Sequence, residues 1–332
     1  MRPNVVAYTL GRTFAFSNPH QTMHKLKIII YSLPLLMALA ACSGNDNGTD
    51  NGGSNTVKNE NGNKIAASAP ADILRLEFPR VKGGTSQVIV HRTAQYGMTY
   101  ALEWDHQKRA QRWTCFRIYK DNAVKNWSRY QWEGTSWGGD PFQPDPLVPL
   151  GEQPNVRGEF SGSYYPNSNS YYQRGHICAS EDRVYSQEAN EQTFYMTNMM
   201  PQVGNFNGGI WMKMEDRVRS LAKSVDTLYV CKGGTIDNGS QIVGRTKSGF
   251  IVPRYFFMAL LGKNKQGYKA LAFWAEHLNV DKSSDNLSNY IINISTLQQL
   301  TGIDFFCNLP DDVENHVESL SAESVKRAWG FQ

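Results

Sequence analysis

The sequence lacks an apolar run long enough to cross a membrane as a helix. Its longest apolar stretch, residues 28–41, has about fourteen residues, whereas a membrane-spanning helix needs about 20. Lys25 and Lys27 precede this stretch, and small residues end it before Cys42. A basic start, a short apolar run and small residues are typical of a secretory signal. We therefore predict that residues 1–41 are a signal peptide, with Met23 as an alternative start of the chain.

The residues at the end of this segment carry a more specific signal. Leu39-Ala40-Ala41-Cys42 resembles a bacterial lipobox. The resemblance implies cleavage before Cys42 and a lipid on that cysteine, so that the protein is an exported bacterial lipoprotein, membrane-anchored on the periplasmic or cell-surface side. An ordinary signal peptide followed by an unrelated cysteine is the alternative.

The chain behind Cys42 also lacks net charge. The formal charge of +4 comes from 34 basic and 30 acidic residues, and the segment before Cys42 contains no acidic residue and four basic ones, Arg2, Arg12, Lys25 and Lys27. Subtracting 4 from 34 leaves 30 basic residues against 30 acidic ones. The charge balance therefore gives no support for a general electrostatic attraction to nucleic acid. Binding would require a local cluster around Arg174, with Arg129 and Arg183 as further candidates.

Cys-x-x-Cys pairs are absent from the chain. Four cysteines follow Cys42, at Cys115, Cys178, Cys231 and Cys307. An even number of cysteines in an exported protein predicts two disulfides, with three alternative connectivities. Zinc binding is the competing explanation, and the missing pair spacing speaks against it.

Composition divides the chain into three parts. Residues 42–70 are rich in Asn, Gly and Ser and have few large apolar residues, so we expect a disordered tether. Residues 71–332 suit one domain, and no internal repeat is visible. Short apolar runs between Gly, Pro and Asn breaks predict strands at 87–91, 100–104, 113–119, 227–230, 251–261 and 269–275. Helices are expected near 295–300 and 313–328 and after Asn207.

Residues 171–215 concentrate the side chains that suit phosphodiester chemistry. His176 can accept a proton near neutral pH, and Arg174 offers a planar, permanently charged fork for phosphate. Gly175, between them, leaves room where a bulky substrate backbone could approach. Hydrolysis of a phosphodiester needs a base for water and cations that stabilise the developing charge.

An amphipathic helix follows. Ile210, Met214, Val218, Leu221 and Val225 are spaced three or four apart, which predicts a buried helical face. Asn207 stands just before this helix, where asparagine more often caps the free N–H groups than binds a metal.

Asn207, Trp211 and Glu215 fall at i, i+4 and i+8, on one stripe of a regular helix. Because eight residues rise about 12 Å, Glu215 would reach an ion held by Asn207 only through water. One protein oxygen with several waters suits Mg²⁺.

These motifs, in this order and spacing, resemble the DNA/RNA non-specific endonuclease family, which includes the Serratia nuclease and endonuclease G. The motifs are Arg174-Gly175-His176, Thr197-Asn198-Met199 and Asn207 through Glu215. The resemblance extends over about residues 73–320. It implies an α+β fold, the ββα-metal nuclease fold, with an antiparallel central sheet flanked by helices.

The resemblance also implies roles for individual residues. His176 matches the general base, Arg174 the phosphate contact and Asn198 the asparagine that supports the catalytic set, to which Glu215 also belongs. Asn207 matches the ligand of Mg²⁺, with Mn²⁺ as a substitute ion. DNA and RNA are the implied substrates, and the oligomeric state stays open.

One residue departs from the family pattern. Gln173 stands where the family usually has aspartate, which removes a carboxylate beside the arginine and histidine. A catalytically weak or inactive surface lipoprotein that keeps the nuclease fold and binds nucleic acid or another ligand is therefore an alternative. A phosphodiesterase for small molecules is a third reading. Digestion of plasmid with Mg²⁺ and with EDTA separates these functions.

Overall fold

The computed structural model describes residues 58–66, 69–131 and 140–332. The signal peptide, Cys42 and most of the tether lie outside the described residues, so the expectations about them remain predictions. Within the described part of the chain, no helix combines the length and the apolar character needed to cross a membrane.

Eleven strands are described, and seven of them form the central sheet. In chain order they are β1 (Ser86–Thr93), β2 (Gly97–Asp105), β3 (Ala110–Tyr119), β4 (Tyr172–His176), β5 (Met199–Val203), β6 (Thr227–Gly234), β7 (Ile242–Arg245), β8 (Ile251–Pro253), β9 (Tyr255–Asn264), β10 (Gly267–Glu276) and β11 (Ile291–Ile292). The sheet has the order β1-β2-β3-β6-β9-β10-β11, and every neighbouring pair is antiparallel. β4 pairs with β5, and β7 with β8.

The predicted strands are confirmed, except that one predicted segment consists of two strands. Five of the six predicted segments fall inside β1, β2, β3, β6 and β10. The sixth, 251–261, is two strands, because the chain leaves β8 after Pro253 and enters the central sheet at Tyr255. Together with the helices on both sides, these strands confirm the α+β class with an antiparallel sheet.

Both faces of the central sheet are buried. Because side chains alternate along a strand, β3 places Phe116 in a first core and Trp113 in a second core on the opposite face. β9 does the same with Met258 and Phe257. This double burial explains why β9 has a nearly continuous apolar sequence instead of alternating polar residues.

Among the described residues, five α-helices cover the sheet: α1 (Gln187–Gln192), α2 (Met212–Ala222), α3 (Ile294–Thr301), α4 (Asp311–Glu318) and α5 (Ala322–Ala328). α3 confirms the helix expected near 295–300. The single helix expected at 313–328 is wrong, because the side chain of Ser321 accepts a hydrogen bond from the N–H of Ser324 and starts α5 separately.

The folded domain begins earlier than its composition suggests. Asn59 donates to the carbonyls of Cys307 and Leu309 at 3.1 and 2.7 Å. Asn63 is buried and donates to the carbonyls of Ile73 and Pro79 at 3.0 and 2.9 Å. Residues 58–66 therefore belong to the domain, and the predicted tether end at 70 is wrong. The composition of an Asn-rich segment predicts disorder, but here the side-chain amides donate hydrogen bonds to main-chain carbonyls of the domain.

The disulfide prediction is also wrong in this structure, where the four cysteines are free and buried. Cys178 lies in the first core, whereas Cys115 and Cys231 face each other across β3 and β6 in the second. The thiol of Cys307 contacts the carbonyl of Phe78, also on the second side, at 3.9 Å. Every connectivity with two disulfides would pair Cys178 through the sheet. Burial raises the pKa of Cys178 and of Cys307 to about 12, so both thiols stay protonated.

Three acidic side chains meet beside α4, and we expect them to make stability depend on pH. Asp304, Glu314 and Glu318 each bring one carboxylate oxygen within 4.8 Å of the others. Burial raises the pKa of Glu314 to about 7 and of Glu318 to about 8, from 4.5. The folded protein thus holds protons that the unfolded chain has released. The free energy of unfolding should therefore fall as pH rises from about 4.5 to 8.

Thermal unfolding of Glu318→Gln at pH 5 and pH 8 tests this expectation. The variant should lose less Tm between the two values than the wild type, since its side chain carries no charge at either pH. Glu188→Gln, at an exposed position in α1, is the control and should follow the wild type. An equal decline in all three proteins would contradict the prediction.

Candidate active site

The predicted site residues lie on a strand–strand–helix unit. β4 ends at His176, which pairs with Met199 at the start of antiparallel β5. β5 leads into a π-helical turn, Phe206–Trp211, and then into α2. The indole N–H of Trp211 donates to the carbonyl of His176 at 3.1 Å, which ties the helix to the strand. The unit thus holds His176 at the end of β4 and Asn207 in the turn between β5 and α2.

Asn207 does not cap a helix, so that interpretation is wrong. It lies inside the π-helical turn, where Gly209 has non-helical angles of φ −104° and ψ −111°. The side-chain Nδ2 of Asn207 donates to Oε1 of Gln173 at 2.8 Å. This bond fixes the amide plane and leaves Oδ1 as an acceptor. The turn also interrupts the regular stripe expected for Asn207, Trp211 and Glu215, because a π turn contains more residues than an α turn.

His176 is packed between two aromatic rings. Its centroid lies 5.5 Å from that of Phe142 and 5.2 Å from that of Phe194. The Nε2 atom is buried and has no hydrogen-bond partner among the described residues. Burial lowers the pKa of His176 well below 6.5, and the charges of Arg129, Lys232 and Arg174 lower it further. The imidazole is therefore neutral at neutral pH and has a free nitrogen that can accept a proton.

Arg174 is held rigidly beside this histidine. It donates to Oδ2 of Asp140 at 2.8 Å and to the carbonyl of Val156 at 3.1 Å, and its guanidinium stacks 3.6 Å from the centroid of Phe142. Burial alone would raise the pKa of Asp140, but hydrogen bonds from Arg174 and from the N–H of Phe142 hold it below 3.8. The carboxylate is thus charged and orients the arginine.

A cleft of about 380 Å³ opens beside Arg174. His176 is not one of its lining residues, but it packs against Phe142, which is. Arg174, Gln173 and Asn207 line the cleft, together with Arg157 and Tyr171. The cleft therefore contains two arginines, the carboxylate of Asp140 that pairs with both of them, and two side-chain amides. A phosphate with a hydrated divalent cation matches this set of groups in charge.

The expected arginine cluster is smaller than proposed. Arg129 is exposed and lies close enough to influence the pKa of His176. Arg183 is fully buried, 4.2 Å above the ring of Phe116, and donates to the main-chain carbonyl of Asp182. Arg183 therefore stabilises the fold and is not available to substrate.

Asn198 supports the site from below and does not face the cleft. Its Oδ1 accepts from the N–H of Cys178 at 2.9 Å, and its Nδ2 donates to the carbonyls of Cys178 and Thr193 at 2.9 and 2.8 Å. The side chain is fully buried. Asn198 therefore positions the chain after His176, which agrees with the supporting role that the resemblance implies.

Glu215 lies on a buried part of α2 and pairs with a lysine. Its Oε1 lies 2.8 Å from Nζ of Lys232, with side-chain exposures of 12% and 1%. Burial raises the pKa of Glu215, and the ammonium of Lys232 opposes the rise. Lys232, in the middle of β6, was missed by sequence reasoning. Its one signal was a lysine directly after the apolar run Leu228–Cys231.

Gly175 has no room for a side chain, because the side chain of Gln202 occupies the space beside it. A Cβ at this position would lie 2.3 Å from Cδ of Gln202, whose side chain crosses the strand there. The room at Gly175 therefore serves the packing of β5 against β4 and not the approach of a substrate.

His277 is a second residue that no sequence pattern indicated. It is fully buried, and its Nε2 accepts from the N–H of Val203 at 2.8 Å while Nδ1 donates to the carbonyl of Pro253 at 3.0 Å. Burial lowers its pKa to about 4, so the ring is neutral. His277 thus fixes the end of β5 immediately before the turn that carries Asn207.

Two strands and a helix around a neutral histidine and an asparagine define a nuclease of the ββα-metal type. A family model described as DNA/RNA non-specific endonuclease matches residues 84–312. A nuclease of Nostoc sp. is 28% identical over 227 residues, which are 66% of this chain and 75% of the relative. The mitochondrial nuclease EXOG of Mus musculus is 25% identical over 70% of this chain and 61% of its own length.

A solved structure of an EndoG/EndoGI complex shares the fold. Its matching chain has a TM-score of 0.54 and 22% identity, over 74% of this chain and 94% of that chain. The chain therefore belongs to the DNA/RNA non-specific endonuclease family, and it is a hydrolase that acts on phosphodiester bonds. The family resemblance of the three motifs is confirmed.

Proposed function

We propose that this protein is a metal-dependent endonuclease that cuts DNA and RNA without sequence preference, with His176 as the general base. The buried, unpartnered Nε2 of His176 carries this proposal. An unsatisfied nitrogen in a buried position is costly unless a substrate or water completes its hydrogen bonding. Its neutral form is the one that a base requires.

The proposed order of events uses three side chains. Nε2 of His176 takes a proton from water, whose oxygen attacks phosphorus, while the bond to the leaving 3′ oxygen breaks and leaves a 5′-phosphate. Arg174, oriented by Asp140, stabilises the negative charge that accumulates on the phosphate oxygens. The leaving 3′ oxygen takes up a proton from solvent and becomes a hydroxyl, and His176 releases its proton to solvent.

Asn207 is proposed as the protein ligand of the cation. Its Oδ1 is the acceptor left when Nδ2 binds Gln173, and the cleft beside it has room for the waters that Mg²⁺ retains. Such an ion, or Mn²⁺ in its place, supplies stabilisation of charge on the phosphate and the leaving oxygen. Glu215 is proposed to act on this region through water, with its carboxylate held by Lys232.

Circular substrates test the proposal, because a circle is opened only by an endonuclease. Purified protein should cut circular single-stranded DNA, supercoiled plasmid and structured RNA, with products that carry 5′-phosphates. Cleavage of nitrophenyl phosphodiesters alone would favour the small-molecule phosphodiesterase. Binding of these substrates without any cutting would favour the alternative, a nuclease-fold protein that binds nucleic acid or another ligand; the hydrogen bond from Asn207 to Gln173 supports the cutting enzyme.

Replacing Gln173 should change the metal requirement. Gln173→Leu removes the acceptor that orients the amide of Asn207, so the half-saturating Mg²⁺ concentration should rise about 10-fold, as is typical when a residue supporting a metal ligand is lost. Gln173→Asp keeps an acceptor and should stay near the wild type. Cleavage rate against Mg²⁺ concentration gives both values. Equal curves for Gln173→Leu and the wild type would exclude the positioning role.

We also propose that the protein is exported and anchored through a lipid on Cys42, as its lipobox-like sequence implies. Cys42→Ser should move the protein from the membrane fraction to the soluble fraction or block its processing. Ser43→Ala, one residue further along, is the control. Unchanged membrane fractionation and unchanged gel mobility of Cys42→Ser would contradict the lipid anchor.

A further inference from the structure

A short hairpin immediately before β4 exposes two aromatic rings. Its main chain is closed by bonds from the N–H of Tyr165 to the carbonyl of Ser170, 2.9 Å, and from the N–H of Tyr172 to the carbonyl of Ser163, 3.0 Å. Tyr164 and Tyr171 face each other across the antiparallel bridge between these bonds. They are 58% and 52% exposed, which is unusual for such large rings.

The hairpin is anchored by the two tyrosines that alternate with them. Tyr172 is 2% exposed, and the hydroxyl of Tyr165 donates to the carbonyl of His277 at 3.2 Å. The rings of Tyr165 and Tyr172 lie 5.9 and 6.1 Å from that of His277. Since His277 also fixes β5, the exposed rings stand on the same rigid support as the candidate site.

The position of Tyr171 relates it to the chemistry. Tyr171 lines the cleft that Arg174 and Asn207 also line. In the sequence it precedes Gln173 by two residues. Arg157 lines the cleft as well, and its side chain is 70% exposed. The cleft thus combines an exposed aromatic face with cationic groups, which is the combination that binds single-stranded nucleic acid.

We propose that Tyr171 is a base-stacking subsite, which holds an unpaired nucleobase beside the scissile phosphate while Arg157 contacts a neighbouring phosphate. Tyr164, across the bridge, extends the platform to the next base. This inference rests on the proposed nuclease function. In a duplex the bases already stack on each other, so the subsite acts chiefly on single strands and on locally opened duplex.

The test compares Tyr171→Ala and Tyr171→Phe on a single-stranded oligonucleotide and on a duplex of the same sequence. Loss of one stacking contact should raise KM for the single strand roughly 5- to 100-fold with little change in kcat. Tyr171→Phe keeps the ring and should restore the wild-type KM. Leu150→Ala, which removes another exposed apolar side chain outside the cleft, is the control.

Two outcomes would overturn the subsite: an unchanged KM in Tyr171→Ala, or an equal rise in KM for the duplex and the single strand. Anisotropy of a labelled single strand in EDTA separates this result from a failure of the proposed function. In EDTA, Tyr171→Ala should bind more weakly than the wild type even if neither protein cuts. If the wild type binds but never cuts with Mg²⁺, the proposed function is wrong and the stacking subsite stands.

Discussion

His176→Ala is expected to lower the cleavage rate by about 10²–10⁴-fold, the contribution typical of a general base. The effect should fall on kcat, because the imidazole takes its proton in the chemical step. Substrate binding and the Mg²⁺ requirement should stay nearly unchanged, since Arg174 and Asn207 remain in the cleft. The wild type should retain activity below pH 6.5, because the base loses function only as pH falls through its lowered pKa.

The measurement is the rate of plasmid cleavage by purified, folded variants, with thermal unfolding as the check on folding. His106→Ala is a matched control, because His106 is a partly exposed histidine outside the strand–strand–helix unit, and its ring contacts Glu152 and Gln87. Wild-type activity in His176→Ala would refute its role as base. A defect that extra Mg²⁺ cures would instead identify His176 as a metal ligand.

Asn207→Ala should produce a different defect, one of metal binding. Removing the proposed protein oxygen should raise the half-saturating Mg²⁺ concentration by roughly 100-fold, at the upper end of the range measured when residues around bound metals are replaced. Part of the rate should return at high Mg²⁺, because water can occupy the vacated position.

Titration of cleavage rate with Mg²⁺ measures this effect. Asn205→Ala is the control, since Asn205 is exposed two residues earlier and donates only to Asn279 at 3.1 Å. If Asn207→Ala lost rate equally at every Mg²⁺ concentration, Asn207 would act on the chemical step or on folding. That result would exclude it as the ligand.

The sequence predicted those strands and helices that depend on the pattern of neighbouring residues in the chain. The apolar run of β9 is continuous because both faces of the sheet are buried, and such a run is visible without a structure. The buried face of α2 follows from the spacing of Met214, Val218 and Leu221.

Features that depend on tertiary contacts could not be predicted. The π-helical turn at Phe206–Trp211 has no spacing signal of its own, and a regular helix extrapolated through it misplaces Asn207. Gln173 and Asn207 are 34 positions apart, so their hydrogen bond is visible only after β4 and β5 have paired. The pairing of Glu215 with Lys232 likewise joins a helix to a buried strand.

The number of cysteines did not predict their arrangement in the fold. An even number predicted two disulfides, but the count contains no information on which face of a strand each thiol occupies. Cys115 and Cys178 are assigned to opposite sides of the sheet by the alternation of β3 and by the loop after β4, respectively.

The central claim is that a cation at Asn207 and a neutral base at His176 together cut nucleic acid chains internally. Conversion of supercoiled plasmid by the purified wild type, with Mg²⁺ and with excess EDTA, measures this most directly. The account predicts open circles, then linear molecules and short fragments with Mg²⁺, and intact supercoiled plasmid in EDTA. Plasmid that stays supercoiled with Mg²⁺, or is cut equally well in EDTA, would contradict it.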